Sequence, residues 1–551
     1  MSGTLGYAPP TFAGAIRLDL SKNEGRAPDE RTLLDAVPTA AELARYPTLR
    51  ELQRELAANY RVLPERVLVT AGADDALLRL CLFALRPSRQ QPRAKKALVA
   101  SPTFEMIPRY VELAGGELVT VPWPEGAFPT DALLAAADDA TALVFVVSPN
   151  NPTGAIATVA DLERIADALP DAWIVLDAAY AEFASEDLTE CALRLANVVV
   201  VRTLSKAWGL AGLRVGCAIA APERLAQLHA AGNPMPVSVA SATLAIARLQ
   251  TGRADVADHV AQVRDQRIDL VRILRSFGAK PVEPCQGNFV LVHGVKAKWL
   301  TQSLAALGIA VRRFPGQPEL ADAVRIGLPA EPKAYGELVL ALTTVFAPQA
   351  LLFDMDGVLA DVSESYRVAI VKTAESFGVE LSAGDIAAAK RRGNANDDWQ
   401  LTCSLLQERG VSCSLSEVTE RFESFYLTLR SRERLLVAAE RLRDWGQRFQ
   451  LAVVTGRPRA QAEFFLAQFA IRDLFGAVVC REDAALKPDP EPVRLAMQQL
   501  GVQSAWMLGD TVDDLLSARA AGVLPIAVGA EAPAANAACV LANPEDLEEL
   551  L

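Results

Sequence analysis

The sequence predicts an α/β protein with two parallel-rich sheets, one in each part of the chain. Short apolar runs rich in β-branched residues alternate with segments of helical spacing, a pattern typical of parallel strands joined by helices. At 551 residues the chain is too long for a single hydrophobic core. Polar residues directly follow the predicted strands, and ligands bind at the carboxyl ends of such strands. We therefore expect a ligand site at the edge of each sheet.

Composition and charge exclude several classes of partner. The net charge of −12 and the lack of a basic run argue against binding to nucleic acid or to an anionic membrane. No apolar run approaches the ~20 residues of a membrane span, and the N-terminal residues lack the pattern of a signal peptide. The eight cysteines form no CxxC pair, which favours reduced thiols. We expect a cytoplasmic protein that acts on small molecules.

The histidines are too few for some kinds of catalysis. Only three are present, which argues against Ser-His-Asp chemistry and against a His-rich zinc site. His229 and His259 lie in segments of helical spacing, and we expect both side chains to be exposed to solvent.

The stretch from Val198 to Gly216 is the most informative of the first half. Its valine run predicts a strand buried on both faces, so that Lys206, shortly after it, lies at the carboxyl edge of the sheet. The hydroxyls of Thr203 and Ser205, together with the cation of Arg214, suit a phosphate group. A lysine beside phosphate-binding groups is what pyridoxal phosphate requires. On this stretch alone, a surface lysine after a core strand is an equally good interpretation.

The remaining elements of the first half follow in order. Residues 1–35 are predicted to form an extended arm, 36–245 a large sheet domain and 246–346 a smaller α+β domain. The turn that contains Ala73 and Asp74 begins a helix, whose N-terminal amides bind an anion or whose end is simply capped by Asp74. The predicted strands are Val67–Thr70, Lys96–Ala100, Leu143–Val147, Trp173–Leu176, 287–292, 309–313 and 323–327, and the predicted helices are Arg45–Tyr60, 71–85, 159–169, several within 223–276, and Lys333–Val345.

Five motifs in this half resemble the class I/II aminotransferases of fold type I, over about 18–346. They are PTF at 102–104, SPNNPTG at 148–154, DAAY at 177–180, SKAWGLAGLRVG at 205–216 and VRIG at 324–327. Within that family, RYPT at 45–48, VTAGADDAL at 69–77 and RTLSKAWGLAGLRVG at 202–216 are similar to histidinol-phosphate aminotransferases. The chain departs from that pattern at 22–28 and at Ala178, so aromatic amino acids, or threonine phosphate in a decarboxylase, are the alternative substrates.

The resemblance implies a pyridoxal phosphate cofactor and a role for each matching residue. Lys206 would hold the cofactor covalently and move the substrate proton, and Asp177 would pair with the pyridinium nitrogen. Arg325 would bind the substrate carboxylate. Tyr46 would reach the cofactor phosphate of a neighbouring subunit, which implies a homodimer. The other implied cofactor contacts are Asn151 and Tyr180 at the phenolic oxygen, Phe104 against the ring, and Thr203, Ser205, Arg214 and the amides of Ala73 and Asp74 at the phosphate.

After a linker at 347–349, four motifs mark the second half. Each follows a predicted strand or a short loop, and together they bring carboxylates, a hydroxyl and a lysine to one sheet edge. Clustered oxygens of this kind suit Mg²⁺. The motifs resemble the haloacid dehalogenase superfamily of phosphatases over 350–551. They are DMDG at 354–357, TGR at 455–457, KPDP at 487–490 and GDTVDD at 509–514.

The second resemblance also implies roles. Asp354 would attack phosphorus, and Asp356 would protonate the leaving alcohol and then activate water. Thr455 and Lys487 would bind phosphoryl oxygens. Because dehalogenases lack the second acid, Asp356 favours phosphate transfer over carbon–halogen cleavage. The implied ligands of Mg²⁺ are Asp354, Asp356 through its carbonyl, and Asp510, with Asp514 supporting the ion through water.

Residues 362–446 are predicted to form a helical cap over this second site. The predicted cap helices are Tyr366–Phe377, Ala383–Arg391, Trp399–Arg409 and Leu415–Arg430. The polar turn at 391–399 either recognises the leaving group of the substrate or is a solvated connection, and the second reading is favoured.

The sequence therefore predicts a bifunctional enzyme. One hypothesis is transamination that forms histidinol phosphate, followed by hydrolysis of that phosphomonoester to histidinol. The alternatives are a phosphatase for an unrelated substrate such as phosphoglycolate, a phosphomutase, or a second half that only binds or dimerises.

Overall fold

The computed structural model describes residues 14–86, 95–391, 397–529 and 534–551. It forms two compact units. The first holds Asp19–Ala297 and Val311–Gly336, and the second holds residues 14–18, Lys298–Ala310 and Glu337–Leu551. The domain boundaries expected from the sequence stay predictions. Among the described residues, no helix combines the length and the apolarity that crossing a membrane requires.

Seven described strands form the large sheet of the first unit, in an α/β arrangement. Six of them are parallel, and Gly216–Ile219 runs antiparallel to both of its neighbours. Neither this strand nor the edge strand Glu117–Pro122 was predicted. In spatial order the strands are Val67–Thr70, Gly216–Ile219, Val198–Thr203, Trp173–Asp177, Thr141–Val147, Lys96–Ser101 and Glu117–Pro122.

Helices of the first unit pack on its sheets and on one another. The helix predicted from Arg45 begins at Arg50, and the predicted helical region 223–276 contains three helices. The described helices are Glu30–Leu34, Ala40–Leu43, Arg50–Tyr60, Gly72–Ala84, Met106–Leu113, Thr130–Ala135, Val159–Ala168, Thr189–Ala192, Pro222–Ala230, Val239–Thr251 and Arg253–Ser276.

A second, antiparallel sheet of the first unit contains Arg312–Arg313, Val324–Gly327, Phe289–His293 and Lys280–Pro281, in that order. The prediction of one strand over 309–313 was wrong, because the structure divides it at Val311. Ile309–Ala310 is a separate strand, and only Arg312–Arg313 joins this sheet. Ile309, Ala310 and Val311 are all buried, so this stretch lacks the alternation of a single half-buried strand.

His259 is buried rather than exposed, which corrects the sequence-based expectation. His259 lies on the helix Arg253–Ser276 and is 1% exposed. Its ring packs edge-on against the ring of Phe183, with 5.7 Å between the ring centroids. Neither ring nitrogen has a hydrogen-bond partner among the described residues. Burial lowers the pKa of His259 to about 4, and the nearby Arg26 guanidinium adds to this effect.

We expect His259 to make the stability of the protein depend on pH. Its native pKa of about 4 lies below the ordinary 6.5, so the unfolded chain takes up the proton first as the pH falls. The free energy of unfolding should therefore drop by about 2 kcal/mol between pH 7 and pH 5 through this residue. Urea unfolding at both pH values measures the loss, and His259→Phe should remove that share of it. Identical pH dependence in the two proteins would contradict this assignment.

The second unit is built on a sheet of six parallel strands among its described residues. Ala350–Phe353 lies near the centre, between Gln450–Val454 and Ala505–Gly509. This position explains why its four residues are fully buried. The spatial order is Ala477–Val479, Gln450–Val454, Ala350–Phe353, Ala505–Gly509, Leu524–Val528 and Val540–Leu541.

A helical insertion leaves this sheet and returns through two short paired strands, Ala360–Asp361 and Arg434–Leu435. Of the polar turn predicted at 391–399, residues 392–396 lie outside the described residues. The insertion contains the helices Tyr366–Ser376, Ala383–Arg391, Asp398–Glu408 and Leu415–Leu429, and the sheet is flanked by Ala439–Arg448, Arg459–Gln468, Glu491–Leu500 and Val512–Ala521.

Residues that precede the six-stranded sheet in sequence also pack on it. Trp299, on the helix Ala297–Ala306, meets Trp506 edge-on at 5.4 Å between ring centroids. The indole of Trp506 donates a hydrogen bond of 2.6 Å to the carbonyl of Thr344, on the helix Pro332–Phe346. Trp506 is 2% exposed. Its burial therefore depends on chain that lies before residue 350.

Candidate active sites

A cleft of about 600 Å³ opens at the carboxyl ends of the parallel strands in the first unit. Its volume is in the range of small-molecule sites. The sequence-predicted residues of the first half line it, with the exception of Tyr46, which is 84% exposed. The predicted residues in the lining are Ala73, Asp74, Phe104, Asn151, Asp177, Tyr180, Thr203, Ser205, Lys206, Arg214 and Arg325.

One end of the cleft collects hydroxyls, a guanidinium and a helix N-terminus. The hydroxyl of Thr203 donates to Ser205 Oγ at 2.9 Å, and Arg214 Nη1 donates to the same oxygen at 3.3 Å. Arg214 also pairs with the Asp74 carboxylate at 2.9 Å. Gly72, at φ +77°, begins the helix, and a Cβ there would come 2.8 Å from Arg214. This end therefore has the open backbone and the donors that a phosphate group requires.

Lys206 lies in the same cleft, near the aromatic ring of Tyr180 and the carboxyl group of Asp177. Its Nζ donates a hydrogen bond of 3.0 Å to the carbonyl of Lys22 and lies 5.6 Å from the Tyr180 ring centroid. Asp177 is 4% exposed, and burial raises the pKa of its carboxyl to about 6, which the Asp74 carboxylate reinforces and Lys206 opposes. A cationic ring nitrogen placed against this carboxylate would offset the burial of its charge. The residues present thus fit pyridoxal phosphate.

Sequence reasoning missed Asn23, whose side chain binds the hydroxyl of Tyr180. Asn23 is buried, its side-chain amide donates to the Tyr180 hydroxyl at 3.2 Å, and its backbone carbonyl accepts from Asn288 at 3.1 Å. The backbone of Asn23 has φ 55°, a conformation that asparagine tolerates better than most residues. This segment was predicted to be part of an extended arm and was otherwise marked only by the departure of 22–28 from the family pattern, so the long-range contact with Tyr180 had no local signal.

Two arginines face the cleft from the smaller sheet, and only one of them was predicted. Arg325 donates to Asn151 Oδ1 and to the carbonyl of Ser21, each at 2.5 Å. Arg312 is its neighbour on the adjacent strand and donates to both carboxylate oxygens of Glu105 at 2.9 Å. Sequence reasoning missed Arg312 because it treated 309–313 as a strand without assigning its side chains.

The second unit contains a small cavity, of about 30 Å³, at the carboxyl end of its sheet. The predicted residues Asp354, Asp356, Thr455 and Asp510 line it. The other two predicted residues lie behind Asp354. Lys487 Nζ is 2.6 Å from Asp354 Oδ1 and 2.5 Å from Asp514 Oδ1, and both residues are buried.

Three carboxylates of this site lie close enough to share a metal ion. One oxygen from each of Asp354, Asp510 and Asp514 lies within 4.8 Å of the others. Burial raises the pKa of Asp354 well above its usual range; Lys487 opposes this rise, and the charges of Asp514 and Asp510 add to it. Gly357, at φ +75°, lets the backbone approach, since a Cβ there would lie 2.2 Å from Asp510 Oδ2. An all-oxygen set with this negative charge fits Mg²⁺.

Helical-insertion residues complete the wall of the cavity. Tyr366, Asp398 and Trp399 line it opposite the strand ends, and Arg481 lies over the Trp399 ring at 4.2 Å and pairs with Asp397 at 2.7 Å. The favoured reading of 391–399 as a solvated connection was therefore wrong for Asp398 and Trp399. For 392–396 it stays untested, because those residues lie outside the described part of the chain.

Family models match both parts of the chain. Residues 16–340 match the model of aminotransferase class I and II. The chain belongs to that family. Residues 348–522 match the haloacid dehalogenase-like hydrolase model, so the aminotransferase domain is fused to a hydrolase domain of this type. Both families consist of enzymes, and the aminotransferase family implies pyridoxal phosphate as cofactor.

Sequence relatives and solved structures agree with these matches. Histidinol-phosphate aminotransferase from Stenotrophomonas maltophilia is 35% identical over 54% of this chain and 84% of its own length. An aromatic amino acid aminotransferase from Nocardia farcinica has a similar identity of 36%. The crystal structure of histidinol-phosphate aminotransferase from Sinorhizobium meliloti with pyridoxal-5'-phosphate has a TM-score of 0.52 and 26% identity, covering 60% of this chain and 90% of that one. The aminotransferase domain therefore has the fold of type I pyridoxal phosphate enzymes.

One relative differs in the extent of the match. Imidazoleglycerol-phosphate dehydratase from Phytophthora nicotianae is 45% identical over 207 residues, which are 35% of this chain. The aligned part covers 45% of that relative. The chain thus spans less than half the length of that protein.

Proposed function

We propose that this chain is a bifunctional enzyme of histidine synthesis, acting on small molecules in the cytoplasm. Its aminotransferase domain would interconvert imidazole-acetol phosphate and histidinol phosphate with glutamate and 2-oxoglutarate, and its hydrolase domain would cleave histidinol phosphate to histidinol. The observation that carries this proposal is that each unit has its own cavity, one lined by Lys206 and the other by Asp354, and that each cavity is lined by most of the residues proposed to act in that half. Two relatives are named for enzymes that act on phosphorylated imidazole compounds.

The residues around Lys206 would hold pyridoxal phosphate, which supplies an electron sink for the substrate carbon when it is bound. Thr203, Ser205 and Arg214, with the amides of Ala73 and Asp74, would bind its phosphate. Asp177 would keep the ring nitrogen charged, while Asn151, Tyr180 and Phe104 hold the ring. Lys206 Nζ would move the proton at the substrate α-carbon.

The paired arginines favour substrates with a doubly charged anion or two anionic groups, as in the phosphate of histidinol phosphate and the two carboxylates of glutamate. Arg325 would bind one anionic group by two parallel hydrogen bonds. Arg312, its neighbour across the sheet, places a second guanidinium in the same cleft, where Glu105 orients it. Side chains directly opposite each other in antiparallel strands point to the same face. A phosphate-bearing amino alcohol with an anionic partner such as glutamate suits this pair better than a purely aromatic substrate.

In the hydrolase domain, Asp354 would attack phosphorus and form a phosphoaspartate as the bond to the leaving oxygen breaks. Asp356 would give its proton to that oxygen and then take one from the attacking water. Thr455 and Lys487 would bind phosphoryl oxygens. Mg²⁺, held by Asp354, the carbonyl of Asp356 and Asp510, with Asp514 behind them, would offset the repulsion between carboxylate and phosphate.

We expect the purified full-length protein to release phosphate from histidinol phosphate in the presence of Mg²⁺ and to lose this activity after removal of the ion by EDTA. The reason is the three-carboxylate cluster, whose charge opposes an incoming phosphate unless a cation is present. A malachite green assay with histidinol phosphate, phosphoglycolate and p-nitrophenyl phosphate measures the release. Hydrolysis of phosphoglycolate without hydrolysis of histidinol phosphate would sink the pathway assignment, and isomerisation of a sugar phosphate without free phosphate would indicate a mutase.

We further propose a homodimer in which Tyr46 completes the cofactor site of the neighbouring subunit. Tyr46 is 84% exposed and lies outside the cleft of its own chain, and Leu43 nearby is 55% exposed. Mixing inactive Tyr46→Ala and Lys206→Ala chains should then restore about a quarter of wild-type transamination, because a mixed dimer holds one intact site. No recovery after subunit exchange, shown by light scattering, would argue against shared sites.

A further inference from the structure

Arg457 is a buried arginine at the phosphatase site that the proposed mechanism does not use. It follows Thr455 after the strand Gln450–Val454 and is 2% exposed. Its Nε donates to Asp356 Oδ1 at 2.6 Å, and its Nη1 donates to Glu433 Oε2 at 3.0 Å. The guanidinium also lies over the Tyr366 ring, 4.7 Å from its centroid. Arg457 is therefore fixed on several sides and holds the Asp356 carboxylate directly.

Glu433 connects this arginine to both chain segments that lead into and out of the cap. Its side chain is 0% exposed. Glu433 directly precedes the returning strand Arg434–Leu435, and its other carboxylate oxygen accepts a hydrogen bond of 2.8 Å from the hydroxyl of Ser365. Ser365 lies on the outgoing segment, just before the first cap helix, Tyr366–Ser376. One buried carboxylate thus joins the two connections of the cap to the arginine that holds Asp356.

A purely structural ion pair would not need this arrangement. Replacing a buried ion pair by apolar side chains is often neutral or stabilising, so burial alone gives no reason for two carboxylates to share one arginine. Planar guanidinium groups fix the orientation of the carboxylates that they bind. Here one of those carboxylates is the proposed proton donor, and it lies in the wall of the cavity.

We propose that Arg457 and Glu433 are positioning residues that orient the Asp356 carboxyl group toward the leaving oxygen. Through them, the orientation of Asp356 is coupled to the position of the cap. The proposal rests on the proposed phosphatase function. In the first step, Asp354 forms a bond to phosphorus, the bond from phosphorus to the leaving oxygen breaks, and the Asp356 proton moves to that oxygen. In the second step, water attacks phosphorus, its proton moves to Asp356, and Asp354 is released. Arg457 and Glu433 act only by holding Asp356.

The test compares p-nitrophenyl phosphate with phenyl phosphate in the full-length protein with Mg²⁺. Nitrophenolate leaves without protonation, whereas phenolate is a poorer leaving group and depends on the acid. Glu433→Gln keeps the size of the side chain but weakens its hold on Arg457. We expect kcat/KM for phenyl phosphate to fall at least tenfold and kcat/KM for p-nitrophenyl phosphate to fall less than threefold. The comparison uses kcat/KM because this constant reports the step in which the leaving group departs, and not the later hydrolysis that both substrates share. Asp356→Asn should give the same pattern with larger losses.

Further variants separate positioning from folding. Ser365→Ala removes only the hydroxyl that binds Glu433 and should shift the ratio of the two rates in the same direction. Arg459→Gln changes an exposed arginine two positions after Arg457 and should leave both rates unchanged. Equal losses on both substrates, or no loss on either, would overturn the proposal. If Asp354→Asn kept its activity, the proposed phosphatase function itself would fail, whatever the ratio.

Discussion

Replacement of Lys206 by alanine is expected to abolish transamination, with a loss of roughly four orders of magnitude or more. Lys206 lines the cleft together with the predicted phosphate-binding groups and the buried Asp177. Its removal takes away both the covalent hold on the cofactor and the group that moves the substrate proton. The visible absorbance band of bound pyridoxal phosphate should change in the same variant. A coupled assay with histidinol phosphate and 2-oxoglutarate measures the activity.

Two comparisons make this result specific. Lys280→Ala alters an exposed lysine outside the cleft and should keep wild-type transamination. Phosphate release from p-nitrophenyl phosphate by Lys206→Ala should also be unchanged, because the proposed phosphatase groups all lie in the second unit. If both activities disappeared in a folded Lys206→Ala protein, the assignment of two separate sites would be wrong.

The second large effect is expected for Asp354→Asn, which should lower phosphatase activity by roughly four orders of magnitude or more. An amide of the same shape is not a nucleophile toward phosphorus and is a weak ligand for Mg²⁺. The variant removes one charge from a cluster of three carboxylates, of which Asp354 and Asp514 are buried. We therefore expect its melting temperature without Mg²⁺ to equal or exceed that of the wild type. Phosphate release and thermal melting, with and without Mg²⁺, measure both effects.

The controls for Asp354→Asn follow the same logic. Asp444→Asn changes an exposed aspartate on the helix Ala439–Arg448 and should leave phosphate release unchanged. Transamination by Asp354→Asn should equal that of the wild type. Substantial remaining phosphatase activity would mean that another group attacks phosphorus, or that the second half does not use this site.

The sequence predicted the strands that carry the sites better than the edges of the fold. Ala350–Phe353 has the predicted bounds because an uninterrupted apolar run near a sheet centre has few alternatives. Val67–Thr70 also has the predicted bounds although it is an edge strand, because three of its four residues are buried. Glu117–Pro122 was missed because an edge strand carries polar residues and has one neighbour. His259 was misplaced because helical spacing alone does not show which face of a helix is covered.

Site residues within a local motif were predicted, whereas pairs formed by residues far apart in the sequence were not. Asp177, Lys206, Asp354 and Asp510 could be located because each lies at the end of a strand or within three residues after it, in a recognisable motif. Arg312 with Glu105, and Arg457 with Glu433, were not found. These partners come from separate elements, and their pairing depends on how the chain packs rather than on sequence spacing.

The burial of Trp506 determines where the hydrolase domain can be separated from the aminotransferase domain, by subcloning or by recombination of the gene. A gene fragment that started at residue 350 would encode every phosphatase motif, yet it would lack Trp299 and the Thr344 carbonyl that cover and bind the Trp506 indole. In such a fragment the side chain of Trp506 would be uncovered, on a strand that pairs with the central strand Ala350–Phe353. Recombination or subcloning that respects this contact would cut before the helix Ala297–Ala306. The segment that must be transferred with the phosphatase motifs is therefore longer than the motifs themselves. It includes residues that also match the aminotransferase family model.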